Sequence, residues 1–398
     1  MKTFTLFCCG LLATAAVVRA QDVLDRLDEK LSVSAYDGRV RARLSGLLDA
    51  EGYYFEHPAP GLIDTEDRFL FSPRLTLFLD AQIGSSLYFF AQARLDRGFD
   101  PSDHGARLAL DEYALRYSPW KDGRLSVQFG AAATVVGTWT GRHLSWENPF
   151  VNAPLPYENP TAVEDVGAPG SRREFGRVES DEKYEYLPLI WGPSYTTGLT
   201  LAGRSAIYEY AVEVKNAVVA SRPESWRATE IGFDHPAVDG RFALHPSLAW
   251  TFGVSAANGV YLRPEAGAEL PRGRGIGDYR QYLLGQDISY AAGRWQLWAE
   301  AFESRFEVPR VGHLDVFSYY LEAKYKITPQ LFGALRWNQE LFSRVRDAAS
   351  PPDTWRVDAA VGYRFTAHLQ LKLQYSFQGD HPLYGRGSTA ATQLTVRF

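Results

Sequence analysis

The chain has 398 residues, and its 42 basic and 47 acidic residues give a net charge of −5. This balance argues against a nucleic-acid partner, because such a partner selects a basic surface. After the N-terminal leader, no segment approaches the roughly 18 consecutive apolar residues of a transmembrane helix, so the sequence excludes a helical membrane protein. Aromatic residues nevertheless make up 14% of the chain.

The first 20 residues have the pattern of an export leader. Lys2 supplies a positive charge, residues 4–18 form an uncharged apolar stretch, and Val18-Arg19-Ala20 places small residues where a signal peptidase cleaves. The apolar stretch is shorter than the roughly 20 residues that a membrane-spanning helix needs. We therefore predict a signal peptide over residues 1–20 and an exported mature chain.

The only two cysteines, Cys8 and Cys9, lie inside this leader. Phe7 precedes Cys8, whereas a lipid-modified cysteine would follow a small residue. After cleavage the chain would hold no thiol, so neither a disulfide nor a thiolate metal site could form. The sequence predicts no metal and no cofactor.

A short segment, residues 21–37, precedes the first predicted strand. Within it, residues 22–31 carry four apolar side chains at helical spacing, which predicts one short charged helix. We expect this periplasmic segment to form a tail or a small cap, or to plug the lumen. An energised receptor would carry a much longer plug domain here, so that class is not favoured.

From residue 38 to the C-terminus, apolar and polar residues alternate in long runs. In one run, Trp355 and Val357 alternate with Arg356 and Asp358. Strict alternation predicts half-buried strands, and runs of about 10–14 residues exceed the usual strand of about 5–6. The sixteen predicted strands cover residues 38–50, 67–81, 86–97, 107–118, 123–134, 194–203, 206–217, 226–233, 246–257, 278–291, 293–305, 314–327, 329–342, 354–366, 368–378 and 388–398.

These strands predict an all-β protein, a transmembrane antiparallel up-and-down β-barrel of about sixteen strands, between roughly 14 and 18. Only helices and closed barrels satisfy all backbone groups in lipid. A soluble β-sandwich shows the same alternation and is the alternative fold. An even strand number places both termini in the periplasm with the short turns. The long external loops would include residues 98–106, 258–277, 343–353 and 379–387, and the longest, the third, would span 135–193.

Charged residues on the polar faces of these strands are expected to line the lumen, because a charge facing lipid at mid-membrane costs about 2–4 kcal/mol. We predict that Arg74, Arg94 and Arg116, on neighbouring strands, form a basic wall. This wall would face acids of the third loop, such as Glu147. The alternative is that such charges only brace the barrel wall. The candidate pore-lining residues are Arg74, Arg94, Arg116, Asp80, Asp96, Glu112, Glu147, Arg336 and Glu340.

The leader, the sixteen strands, the long third loop and a terminal Phe398 preceded by Leu394 and Val396 together resemble bacterial porins. The stretches 111–117 and 147–150 are similar to parts of anion-type porins, including phosphate-selective ones. The resemblance implies a third loop that folds inward and narrows the pore, and a homotrimer in the cell outer membrane among its lipids and lipopolysaccharide. It also implies passive diffusion of small hydrophilic solutes or ions, with anion preference left open.

Two other functions compete with this interpretation. A barrel enzyme would need a nucleophile with a histidine within hydrogen-bond reach, and the chain has no GxSxG motif. A non-conducting structural anchor would need no lumen charge. The inward charges and the long third loop favour a pore over both, so we predict that the chain is not an enzyme.

Overall fold

A computed structural model describes residues 23–27, 29–56, 59, 61–63, 65, 67–97, 105–176, 185–348, 351–381 and 385–398. The predicted signal peptide, residues 1–20, lies outside the described residues. Within them, helices are few and short, and none has the length and apolar character to cross a membrane.

Sixteen antiparallel strands, β2 to β17, close into a barrel in the described part of the chain. Each strand pairs with the next along the sequence, and β17 pairs with β2 to complete the ring. A short extra strand, β1 (Ser32–Ala35), pairs with the start of β2. The barrel strands are β2 Val40–Phe55, β3 Phe69–Ile83, β4 Leu87–Asp96, β5 Arg107–Tyr117, β6 Ser126–Ala131, β7 Thr197–Arg204, β8 Tyr208–Lys215, β9 Ala237–Leu244, β10 Trp250–Val260, β11 Arg280–Ala292, β12 Trp295–Val308, β13 Gly312–Lys326, β14 Leu331–Phe342, β15 Thr354–Arg364, β16 Leu369–His381 and β17 Gly385–Arg397.

The alternation in sequence becomes an apolar outer face and a polar lumen. On β14, Leu335 is 62% exposed outward, whereas Arg336, Asn338 and Glu340 are buried inside the barrel. Aromatic pairs occupy the outer face near both ends of the strands. Examples are Trp250–Tyr290, Trp295–Tyr325, Tyr54–Phe69 and Trp337–Trp355. The predicted fold class is confirmed.

The two ends of the barrel differ in their connections. At one end, here called the turn end, tight turns join the strands, and Gly84 (φ +61°) and Gly293 (φ +57°) supply the left-handed conformation that such turns favour. At the other, the loop end, the connections include residues 132–196 between β6 and β7, here called loop 3. As predicted, the short connections lie at one end of the barrel and the long ones at the other. The predicted loop 379–387 is shorter than expected, because β16 and β17 extend well into it.

One predicted strand is wrong. Residues 226–233 were expected to form the eighth strand, but they follow a short 3-10 turn, Pro223–Ser225, and the strand begins only at Ala237. Trp226 is 5% exposed, and its indole donates to the Ser221 carbonyl at 2.7 Å. Its apolar character therefore reflects packing in a folded loop and not a strand.

The N-terminal segment lies at the turn end. Residues 23–27 and 29–30 are helical, and the Leu44 amide donates to the Leu31 carbonyl at 2.9 Å. Asp25 Oδ1 lies 2.7 Å from His368 Nε2, beside the last residues of β17. The segment thus extends the wall of the barrel at this end.

Candidate functional site

Loop 3 folds into the barrel and fills much of its interior. Phe150, Leu155, Tyr157 and Leu187 are fully buried, although they belong to a connection between strands. Tyr157 and Leu187 join an apolar cluster with inward side chains of the strands, such as Phe302. This is the inward third loop that the porin resemblance implied, over the described residues 132–176 and 185–196.

The inward faces of β12 to β16, here called the clamp wall, hold loop 3 by its backbone. Lys372 is fully buried, and its Nζ donates to the carbonyl oxygens of Ser145 at 2.8 Å, Asn148 at 2.9 Å and Phe150 at 2.9 Å. Hydrogen bonds from a charged donor are stronger than neutral ones. One ammonium therefore binds three carbonyls within six residues of the loop.

Two arginines of the clamp wall bind the same part of loop 3. Arg336 Nη2 donates to Asn152 Oδ1 at 2.8 Å and to the Ala153 carbonyl at 3.1 Å. Its Nε donates to Asp358 at 2.8 Å. Arg356 also binds the Ala153 carbonyl and pairs with Glu158 of the loop. Arg336, predicted to line the pore, instead spans the wall and the loop.

Carboxylates of the clamp wall complete this attachment. Glu300 accepts from the Trp139 amide at 3.1 Å and from the Tyr157 hydroxyl at 2.6 Å. Burial and the Glu300 carboxylate raise the pKa of Tyr157 well above its usual value, so the phenol remains a donor. Glu322 pairs with Arg142 at 2.6 Å, and Glu340 accepts from Asn159 of the loop at 2.8 Å. Glu340 thus also holds loop 3.

The inward faces of β2 to β5 are here called the gap wall, and part of this wall does not contact loop 3. A cavity of about 80 Å³ separates the two surfaces, enough for a few water molecules. The wall lines it with Asp49, Arg74, Thr76, Gln92, Arg94 and Asp111, and the loop lines it with Trp139, His143, Ser145, Asn148 and Tyr195 among others. This polar gap is the candidate constriction.

The two arginines of the gap wall are compensated by acids of their own wall. Arg74 Nη2 lies 2.5 Å from Glu51 and 3.4 Å from Asp49. Arg94 lies 2.7 Å from Asp111 and 2.5 Å from Asp96. Two guanidinium groups therefore meet four carboxylates, so this wall does not present the net basic surface that its arginines alone would make.

The other predicted residues lie away from this gap. Arg116 is half-buried towards the turn end, where it donates to Gln128 at 2.7 Å. Asp80 accepts from the Tyr88 hydroxyl. Glu147 is exposed, and its charge acts on Arg364 of β15. The structure thus brings Arg74 and Arg94 together at one cavity but places Arg116 and Glu147 elsewhere.

Asp111 is a site residue that the sequence pattern missed. The pairing of β4 with β5 shifts between Gln92 and Ala93, which marks a β-bulge. Because of this bulge, both Asp111 and Glu112 act in the lumen: Asp111 pairs with Arg94, and Glu112 accepts from the Ala133 amide at 2.8 Å. Strict alternation assigns only one of two adjacent residues to the lumen, so it contained no indication of this pair.

His143 links loop 3 to the gap wall. Its Nδ1 lies 2.6 Å from the Thr140 carbonyl, so this nitrogen carries the proton, and Nε2 accepts from the Tyr195 hydroxyl at 2.6 Å. Gln92 in turn donates to the Tyr195 oxygen at 3.1 Å. Burial lowers the pKa of His143 to about 4, so the imidazole is neutral at pH 7.

Towards the turn end, inward cations contact aromatic rings instead of acids. The Arg116 guanidinium lies 5.7 Å from the ring centres of Tyr88 and Phe90. Arg364 and Arg397 lie 5.1 and 4.5 Å from the ring centre of Trp146 in loop 3. Among the described residues, no carboxylate lies within 4 Å of these three guanidinium groups. We call this region the vestibule.

No family model and no curated protein matches the chain. Solved structures do. The anion-selective porin from Comamonas acidovorans aligns with a TM-score of 0.56 at 11% identity, over 90% of this chain and 100% of that chain. The outer membrane channel DcaP of Acinetobacter baumannii aligns with a TM-score of 0.56 at 11% identity, over 92% and 100%. The trimer form of OmpT, an outer membrane protein of Vibrio cholerae, aligns with a TM-score of 0.53 at 8% identity, over 90% and 99%. The chain thus has the fold of bacterial porins, a closed sixteen-stranded antiparallel barrel.

Proposed function

We propose that this protein is a passive diffusion channel for small hydrophilic solutes or ions in the cell outer membrane. One observation carries the proposal: loop 3 is bound by the clamp wall yet leaves a polar cavity along the gap wall. A barrel that served only as an anchor would gain nothing from a charged gap. In a channel, such a gap sets which solutes pass by their size and charge.

The vestibule supports a preference for anions. Its guanidinium groups contact aromatic rings and neutral acceptors, so their charge is not cancelled locally as it is at Arg74 and Arg94. Clefts lined by one sign of charge concentrate ions of the opposite sign. Anions would therefore gather at the turn end and pass the balanced constriction more slowly.

The proposed location and assembly follow from the ends and the outer face of the chain. Residues 1–20 would direct export, and the apolar band with its aromatic residues would contact membrane lipid and lipopolysaccharide. The strands β6 to β9 have only six to eight residues, fewer than the roughly 9–11 that a tilted membrane strand needs. A neighbouring subunit would shield the side of the barrel formed by these short strands from lipid. In a homotrimer, every subunit would be shielded in this way.

Conductance of the purified protein in a planar lipid bilayer, with a salt gradient across it, tests the proposal. We expect discrete current steps in groups of three. We also expect a reversal potential whose sign indicates that anions permeate faster than cations. A folded barrel that never conducts would contradict it and return the enzyme and the anchor to consideration. Steps with a cation-selective potential would leave the channel in place and contradict only the anion preference.

A further inference from the structure

A neutral hydrogen bond joins the gap wall to loop 3 at the edge of the cavity between them. Gln92 of β4 and Tyr195 of loop 3 both line this cavity, and Gln92 Nε2 donates to the Tyr195 hydroxyl oxygen at 3.1 Å. Both side chains are buried, at 3% and 2% exposure. The cavity has room for a few water molecules. A sugar or a hydrated ion is larger, so its passage requires that one side of the cavity moves.

Loop 3 is the side that can move, because its attachments differ in strength. On the clamp wall charged groups hold it: the Lys372 ammonium binds three carbonyl oxygens, and the Glu300 carboxylate accepts from the Tyr157 hydroxyl at 2.6 Å. Hydrogen bonds that involve a charged group are stronger than neutral ones. The neutral bond between Gln92 and Tyr195 therefore breaks before these bonds do.

Tyr195 connects this bond to the middle of loop 3. Its hydroxyl donates to His143 Nε2 at 2.6 Å, and its ring packs edge-on against Trp226 with 5.4 Å between the ring centres. The hydroxyl thus has its acceptor within loop 3 and its donor on the gap wall. Loss of the Gln92 donor removes the contact to the wall and leaves the bond within loop 3 intact.

We propose that the hydrogen bond between Gln92 and Tyr195 sets the size limit of the channel. While the bond is formed, the gap admits the smallest solutes. When the bond breaks, the end of loop 3 moves away from the gap wall and larger neutral solutes pass. The inference rests on the proposed function, and it names the residues that select solutes by size, separately from the arginines that would select them by charge.

Gln92→Leu tests the bond without enlarging the cavity, because leucine is similar in size to glutamine but has no donor. The measurements are single-channel conductance in a planar lipid bilayer and the swelling of liposomes in a monosaccharide and in a disaccharide. We expect the conductance to rise severalfold and the ratio of disaccharide to monosaccharide permeation to increase. The reversal potential in a salt gradient should not change, because the substitution alters no charge.

Gln339→Leu is the matched control. Gln339 also pairs with a tyrosine, since its amide oxygen accepts from the Tyr319 hydroxyl at 2.7 Å, but this pair lies on the outer face of the barrel. The control should leave the conductance and the sugar ratio unchanged. Tyr195→Phe removes the same bond from the other side, so it should act like Gln92→Leu, and it carries the test if Gln92→Leu does not fold.

The outcomes separate failure of this inference from failure of the channel. The proposal is overturned if the sugar ratio of Gln92→Leu equals that of the unaltered protein, or if Gln339→Leu changes the ratio equally. An unaltered protein that conducts would retain the proposed function in both cases. If neither the unaltered protein nor Gln92→Leu conducts, the proposed function and this inference both fail.

Discussion

The clamp wall and the gap wall face each other across the same lumen, and they use similar residues in opposite ways. On the clamp wall, Lys372 and Arg336 donate to backbone carbonyls of loop 3. On the gap wall, Arg74 and Arg94 are paired with carboxylates of the same wall, and a cavity separates them from loop 3. A lumen cation therefore binds the backbone of loop 3 on the clamp wall, whereas on the gap wall it is already paired with carboxylates.

This difference explains why one long loop fills the barrel against one wall and leaves a cavity along the other. The backbone between residues 145 and 158 makes no strand ladder of its own, so its carbonyls need donors when buried. The clamp wall supplies those donors on one side. The cavity is left on the other side, where the wall is already satisfied by its own ion pairs.

Removal of the Lys372 ammonium should have the largest effect on this arrangement. Lys372→Met leaves three buried carbonyl oxygens of loop 3 without their charged donor, and we expect a loss of about 3 kcal/mol in the free energy of unfolding. Unfolding by denaturant in lipid vesicles measures this loss. Single-channel conductance should rise as the loop detaches from the clamp wall.

Lys324→Met is the control, because its ammonium makes no hydrogen bond to the described residues that could be lost. It should leave the free energy of unfolding nearly unchanged. Equal losses in the two variants would contradict the assignment of the clamp to Lys372.

Arg94 tests the gap wall. Arg94→Gln removes the guanidinium that Asp96 and Asp111 share at the constriction, so the permeability ratio should shift severalfold towards cations. The reversal potential in a salt gradient measures the ratio. Arg124→Gln, at an exposed pair with Asp122 near the turn end, should shift it much less. An unchanged ratio in Arg94→Gln would remove the gap wall from the conducting path.

Acidification should loosen the contact between loop 3 and the gap wall. The pKa of His143 falls from 6.5 to about 4 on burial, so between these pH values the unfolded chain binds more protons, and stability decreases as the pH falls through this window. The thermal midpoint should drop from pH 7 to pH 4.5, and the drop should be smaller in His143→Gln. The same slope in both proteins would assign the effect to other groups.

Glu147 should have the smallest effect. The sequence predicted that it opposes the arginines of the constriction, but its exposed carboxylate acts on Arg364 instead. In 0.1 M salt an exposed charge is screened within about 10 Å. Glu147→Gln should therefore shift the reversal potential slightly towards anions, by less than Arg94→Gln shifts it towards cations. A larger shift than that of Arg94→Gln would indicate that ion selectivity is set in the vestibule and not at the gap wall.

The sequence by itself determined the barrel. The period of two places lipid-facing residues such as Leu335 outside and charged residues such as Arg336 inside, because a closed sheet in a membrane has one apolar and one polar face. The same period failed where local geometry broke it: at the bulge beside Asp111, and at Trp226, whose apolar ring packs in a loop.

Only the tertiary structure decided what each inward charge does. Lys324 and Lys372 have the same residue type and the same orientation, yet one contacts a ring and the other contacts three carbonyls. The carbonyls bound by Lys372 come from loop 3, more than 220 residues away along the chain. Alternation in the sequence predicts which face of the sheet a residue occupies. It does not predict which groups lie across the lumen, because these depend on how loop 3 folds against all sixteen strands.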